Sequence, residues 1–158
     1  MVAPKWGVRV SAVRLDGAIL LPDGGWVRGR GLRNPDPGGP APEFGLYLGN
    51  GKLRARHSFG WSHEWLEWPD FLLPKDSALA VRRILDLRAR ALAGERVEVA
   101  CGGGVGRTGT VIACLAVFGG VAPEEAVAWA RANYHPRAVE MPWQRRWITR
   151  ATTVPGPA

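Results

Sequence analysis

Residues 96–118 read RVEVACGGGVGRTGTVIACLAVF, three kinds of sequence in succession. Arg96 to Ala100 is a short run with alternating valines, the pattern of a buried strand. Thr108 to Phe118 is almost wholly apolar and stops at Gly119-Gly120, which predicts a helix. Between them lies a glycine-rich turn, CGGGVGR. A strand that feeds a helix through such a turn is the unit of an α/β fold. The expected architecture is therefore a central, partly parallel sheet flanked by helices, with the turn at a strand's C-terminal end.

The flanking sequence agrees. Ser77 to Ala93 places Leu79, Val81, Ile84, Leu85, Leu87 and Leu92 broadly on one helical face and is closed by Gly94. A further helix starts with Pro123 in its first turn, followed by Glu124 and Glu125, and runs to about Asn133. A last helix follows Pro142 and carries Trp143, Trp147 and Ile148. Upstream the chain reads as strands and turns. Val8 to Leu15 alternates loosely, Asp16-Gly17 is a hairpin-type turn, and Ala18 to Leu21 continues as a strand. The turn at Asp23-Gly24-Gly25 leads into Trp26-Val27. Asn34 to Pro42 is a Pro/Gly-rich surface loop, Gly45 to Leu48 a short strand, and Asn50 to His63 reads as loop. Residues 1–152 are expected to form one domain, with 153–158 a flexible tail.

Composition bounds the function. The 158 residues are enough to bury a real core, and 46% hydrophobic against 22% charged residues exclude wholesale disorder. Cys101 and Cys114 are the only cysteines; two cannot make a disulfide framework or a paired zinc pattern. His57, His63 and His135 have no metal spacing either, so no metal and no cofactor are expected. No secretory signal is visible at the start, and the longest apolar run, Val111 to Phe118, is far too short to span a membrane. A reducing, cytoplasmic setting is the expectation. The net charge of +7 favours anionic molecules. Only Lys5, Lys52 and Lys75 of the 21 basic residues are lysines, however, a skew that GC-rich codons produce unaided. The arginines are scattered and no nucleic-acid-binding motif accompanies them, so nucleic acid is an unfavoured partner.

Three motifs compete for Cys101 to Gly109. A phosphate loop of the Gly-x4-Gly-Lys-Ser/Thr type needs Gly where Cys101 stands and Lys where Arg107 stands. Gly104-x-Gly106-x-x-Gly109 matches a dinucleotide fingerprint as a string. That fingerprint requires a second parallel strand with an acid about 20 residues on, and a helix follows here instead. The third pattern is Cys101, five residues (Gly102, Gly103, Gly104, Val105, Gly106), then Arg107 and Thr108. Successive backbone N–H groups around this turn, running into a helix N-terminus, make a concave anion site. Glycines let the backbone curl without Cβ clashes. Arg107 can grip two phosphate oxygens through its planar fork, and Cys101 sits at the cup's base, where the amides and helix dipole favour a thiolate.

This loop resembles that of the cysteine-dependent protein tyrosine phosphatase superfamily, in particular its small dual-specificity and bacterial members. Trp68-Pro69-Asp70, 31 residues before Cys101, is similar to the family's mobile acid loop; alone it is also an ordinary turn beside a half-buried Trp. His135 to Gln144 is similar to the segment following the last strand-helix unit in small dual-specificity members. The resemblance runs from Trp68 to Gln144.

The resemblance implies a two-step reaction in which Cys101 attacks phosphorus while Arg107 and the amides of Gly102 to Arg107 hold the oxygens. Asp70 serves as acid, then as base toward water, and Thr108 hydrogen-bonds the sulfur. Gln144 either positions that water or faces solvent on the last helix. One departure stands out: the family's His before the nucleophile is Ala100 here. Asp76, a rival acid, reads better as the cap of the helix at Ser77. Cys114 is core or an oxidative partner of Cys101, and Trp61, Trp65 and Trp68 line a substrate mouth or pack. The implied activity is hydrolysis of phosphotyrosine in proteins, with phosphoserine and phosphothreonine open. The rivals are a phosphate-binding module without turnover and a phosphoinositide or RNA 5′-phosphate phosphatase.

Overall fold

The computed structural model describes residues 13–153. Five strands form one sheet: β1 (Ile19–Leu20), β2 (Trp26–Gly31), β3 (Phe44–Gly49), β4 (Ser62–Glu67) and β5 (Val97–Cys101). Their spatial order is β1-β2-β5-β3-β4. β5 lies between β2 and β3 and runs parallel to both, β4 extends the parallel set, and only the short β1 is antiparallel. The expected mixed sheet flanked by helices is the fold observed.

The turn between β1 and β2 is closed by bonds from Leu21 N to Gly25 O and from Gly24 N to Leu21 O, with Gly24 at φ +98°. Asp16-Gly17 forms a separate turn before β1. The strand expected over Val8 to Leu15 does not extend through 13–15, and residues 8–12 lie outside the described residues, as does most of the expected tail.

Central strands with both faces covered read as buried runs: every residue of β3 and of β5 is buried. Phe44, Leu46, Leu48, Val97, Val99 and Cys101 belong to the main core, together with residues of α2 (Ser77–Leu92), α3 (Gly106–Phe118), α4 (Ala126–Asn133) and α5 (Pro142–Thr152). α3 is buried continuously from Gly106 to Ala116, its apolar run from Val111 joined by the buried Arg107, Thr108 and Thr110 of its first turns. Asp76 caps α2 by accepting from Leu79 N at 3.0 Å. A single 3-10 turn, Pro123–Glu125, precedes α4, so the helix expected from Pro123 starts as a tighter turn.

The segment Asn50 to His63 is not simply loop. It holds the one-turn α1 (Gly51–Ala55), capped by Asn50 Oδ1, which accepts from Leu53 N at 2.9 Å, and the first two residues of β4. A five-residue helix is too short to show a period. β4 is an edge strand with half of its residues exposed and one buried, so no buried-strand pattern marks it. Trp65 on β4, with Phe59 and Trp61, packs around Tyr47 on the sheet face opposite the main core. Trp68 is fully buried against Trp147. These tryptophans pack rather than line a mouth.

Candidate active site

β5 ends at Cys101 and α3 begins at Gly106, so residues 101–106 make the turn. Its outer side is zipped to the chain leaving β2: Leu32 N donates to Cys101 O at 2.8 Å and Arg33 N to Gly102 O at 3.0 Å. Engaging those carbonyls outward leaves amides for the concave side. Gly104 adopts φ +75°, and a Cβ there would lie 2.4 Å from Gly31 N, so glycine is required twice over. Val105 stands at the N-cap of α3, and Gly109 N returns to its carbonyl at 2.9 Å.

The Cys101 sulfur accepts hydrogen bonds from Gly104 N at 3.2 Å and from Thr108 Oγ1 at 3.0 Å. Two donors at the start of a helix stabilise negative charge on that atom. Cys114 is wholly buried in the core, and burial pushes its thiol far up, which suits a packing residue and not a redox partner.

Arg107 is 4% exposed and is held by the ends of other elements. Nη1 donates to Trp68 O at 2.9 Å and to Leu48 O at 3.4 Å, and Nη2 lies 3.4 Å from Asp70 Oδ1. Its Nε is the one buried side-chain polar atom among the described residues without a hydrogen-bond partner. An unpaired buried donor costs about 1–3 kcal/mol, a cost that a hydrogen-bonding anion at this position would offset.

Asp70 reaches this cluster from the segment after β4. Trp68 Nε1 donates to Leu72 O at 2.8 Å, Lys75 N closes back on Glu67 O, and Asp70 Oδ1 accepts from Phe71 N at 3.0 Å. Phe71 takes φ +62°, which turns the chain sharply and leaves Asp70 partly exposed. Two α5 residues hold the loop from behind: Trp143 Nε1 donates to Phe71 O at 2.6 Å and Gln144 Nε2 to Leu72 O at 3.4 Å. Gln144 is fully buried, so it does not face solvent; its Oε1 accepts from Glu140 N and Met141 N, both at 3.1 Å.

Two further residues meet the turn without any motif to announce them. The Arg33 guanidinium packs on Gly102, where a Cβ would lie 2.8 Å from its carbon. Tyr134, just past α4, donates its hydroxyl proton to Gly104 O. The signal for either is only that a bulky polar residue faces a glycine in space, which a linear pattern does not carry.

A thiol that accepts from a loop amide and a hydroxyl at a helix start, beside a buried guanidinium 3.4 Å from a carboxyl, is the arrangement of a cysteine-dependent phosphatase of the protein tyrosine phosphatase superfamily. The chain belongs more narrowly to the family described as the Swiss Army Knife protein DSP-PTPase phosphatase domain, whose model matches residues 74–153. That stretch contains Cys101 to Gln144 and leaves Trp68 to Asp70 outside. No curated protein matches the chain in sequence. Among solved structures it is similar to Tk-PTP in its active form, with TM-score 0.65 and 20% identity over 88% of this chain and 98% of that one. It is also similar to kinase associated phosphatase carrying serine for its catalytic cysteine, with TM-score 0.60 and 14% identity over 78% and 82% of the two chains. PTPMT1 aligns at TM-score 0.52 and 18% identity over 68% and 74%. These likenesses establish the shared fold. No group of three metal-ligating side chains occurs among the described residues, and no described helix is long and apolar enough to cross a membrane.

Proposed function

We propose that the chain, acting as one domain over residues 1–152, hydrolyses phosphotyrosine in proteins through a cysteinyl-phosphate intermediate. The observation carrying this reading is convergence: Asp70, from the segment after β4, lies 3.4 Å from the guanidinium of Arg107 at the start of α3, and the same turn carries Cys101, whose sulfur accepts from Thr108 Oγ1 at 3.0 Å. In the first step the Cys101 thiolate attacks phosphorus and the phosphorus–oxygen ester bond breaks. The amides of Gly102, Gly103, Gly104, Val105, Gly106 and Arg107, with the Arg107 guanidinium, stabilise the equatorial oxygens. Asp70 gives its proton to the departing phenolate oxygen. In the second step Asp70 takes a proton from water, which attacks phosphorus and releases phosphate. The Thr108 hydroxyl supports the leaving thiolate. Gln144 has both polar ends engaged, so its part is to brace the acid loop; it reaches a water only by releasing Leu72 O.

The test is hydrolysis of a generic aryl phosphate in EDTA by wild type, Cys101→Ser and Asp70→Ala. Wild-type turnover is expected, with none from Cys101→Ser and a loss of about 10²–10⁴-fold from Asp70→Ala. A wild type that binds tungstate but turns nothing over would make the chain a phosphate-binding module. One observation favours a second substrate reading, a phosphate carrying a neighbouring anionic group: the exposed Arg33 guanidinium beside Gly102.

A further inference from the structure

The residue before the nucleophile, Ala100, has only a methyl group and packs with Leu32 and Tyr47 on the sheet face opposite the main core. It offers the phosphate loop no hydrogen bond. The loop is held from the other face by Tyr134. Its hydroxyl donates to the carbonyl of Gly104, and its ring lies over Gly29. A Cβ at Gly29 would stand 2.5 Å from Tyr134 Cε1 and 2.8 Å from Ile112 Cδ1. Gly29 pairs with Val99 inside the sheet, where glycine weakens a strand, so close approach of this ring gives it a reason.

The contact acts on the cup through peptide geometry. In a trans peptide the C=O and N–H point in opposite directions. Fixing the Gly104 carbonyl on Tyr134 therefore fixes the Val105 N–H on the opposite, concave side. The preceding peptide supplies Gly104 N–H to the Cys101 sulfur at 3.2 Å. Left without Tyr134, the Gly104–Val105 peptide, flanked by a glycine, is free to flip and present its carbonyl to an anion. Burial, reinforced by negative charge at Cys101, holds the phenol well above its ordinary titration range, so it stays a donor.

Building on the proposed phosphatase reading, we propose that Tyr134 is a positioning residue that locks the phosphate loop in its anion-binding form, with Gly29 providing the space. The deciding variant is Tyr134→Phe, which keeps the ring in its hollow and removes the donor. Tungstate affinity by calorimetry is expected to fall roughly fivefold to tenfold, the worth of one buried hydrogen bond. The pH midpoint for alkylation of Cys101 by iodoacetamide is expected to move upward, since a flipped peptide weakens the positive field at sulfur. Gly29→Ala, which displaces the ring while keeping the hydroxyl, should reproduce both effects.

Unchanged tungstate affinity and alkylation midpoint in Tyr134→Phe would overturn the proposal, even if its melting temperature fell, because that outcome describes packing alone. Should wild type bind tungstate without hydrolysing an aryl phosphate, the phosphatase reading fails, and the comparison of tungstate affinities still decides Tyr134. Should wild type not bind tungstate, the alkylation midpoints decide it.

Discussion

Arg33 and Arg107 are both guanidinium groups at one turn, yet their surroundings divide their work. Arg107 is buried, anchored by two backbone carbonyls and set in α3, so it suits a charge that must be held in place. Arg33 is exposed and lies on the rim against Gly102, where it can meet a second anionic group without touching the first. Arg33→Ala is expected to lower kcat/KM about tenfold on a bisphosphorylated substrate, the scale of a charge-assisted hydrogen bond. On a simple aryl phosphate it should change less than about twofold. Steady-state kinetics on the two substrates at low and high salt check this; equal losses on both would remove the second-anion role. At this scale the Cys101-to-Thr108 spacing was readable because a tight loop keeps neighbours in sequence as neighbours in space. Tyr134 and Arg33 were not, since each meets the loop from a distant segment.

The loop carrying Asp70, the acid of the proposed reaction, is an element with its own supports. Trp68 anchors its start in the core, while Trp143 and Gln144 on α5 hold Phe71 and Leu72 from the far side. Trp143→Phe removes one of these bonds without touching the cup. The expected result is a kcat lower by roughly three- to tenfold on an aryl phosphate with a poor leaving group, from one lost hydrogen bond. Tungstate affinity should stay at the wild-type value, and calorimetry beside turnover separates the two. A matched loss of tungstate binding would place Trp143 in the cup's support instead. The long helices and the buried strands were legible through period and length. The single turn of α1 rests on the Asn50 cap, and β4 on its parallel pairing with β3, and neither feature leaves a hydrophobic period.

Across the whole molecule, the sheet face opposite the main core carries a buried charge cluster. Glu98, the second residue of β5, accepts from Arg28 at 2.7 and 3.0 Å, from Arg30 at 2.9 and 3.1 Å, and from Tyr47 at 2.7 Å. Burial would raise its titration point, but the bonds from Arg30, Tyr47 and Arg28 outweigh it and hold Glu98 below the usual glutamate range. A folded-state value below the unfolded one means the unfolded chain binds the extra proton. The stabilisation is thus complete above about pH 4.3 and is lost as pH falls through the folded value. Glu98→Ala leaves two arginines uncompensated and should cost about 3–5 kcal/mol. Urea midpoints between pH 3 and 7 check both statements, and a Glu98→Gln variant should show a flatter acid limb. A wild-type midpoint independent of pH across that range would contradict them.

The strand–turn–helix from Arg96 to Phe118, the Cys101-to-Thr108 cup and the main helices are written in the linear chain. Each depends on residues close in the chain, and local geometry alone makes them recognisable. That β2 and β3 flank β5, that Arg107 meets Trp68 and Asp70, that Gln144 is buried behind the Asp70 loop, and that Tyr134 holds Gly104 became visible in three dimensions alone. Those pairings join segments far apart in sequence, and packing rather than propensity selects them.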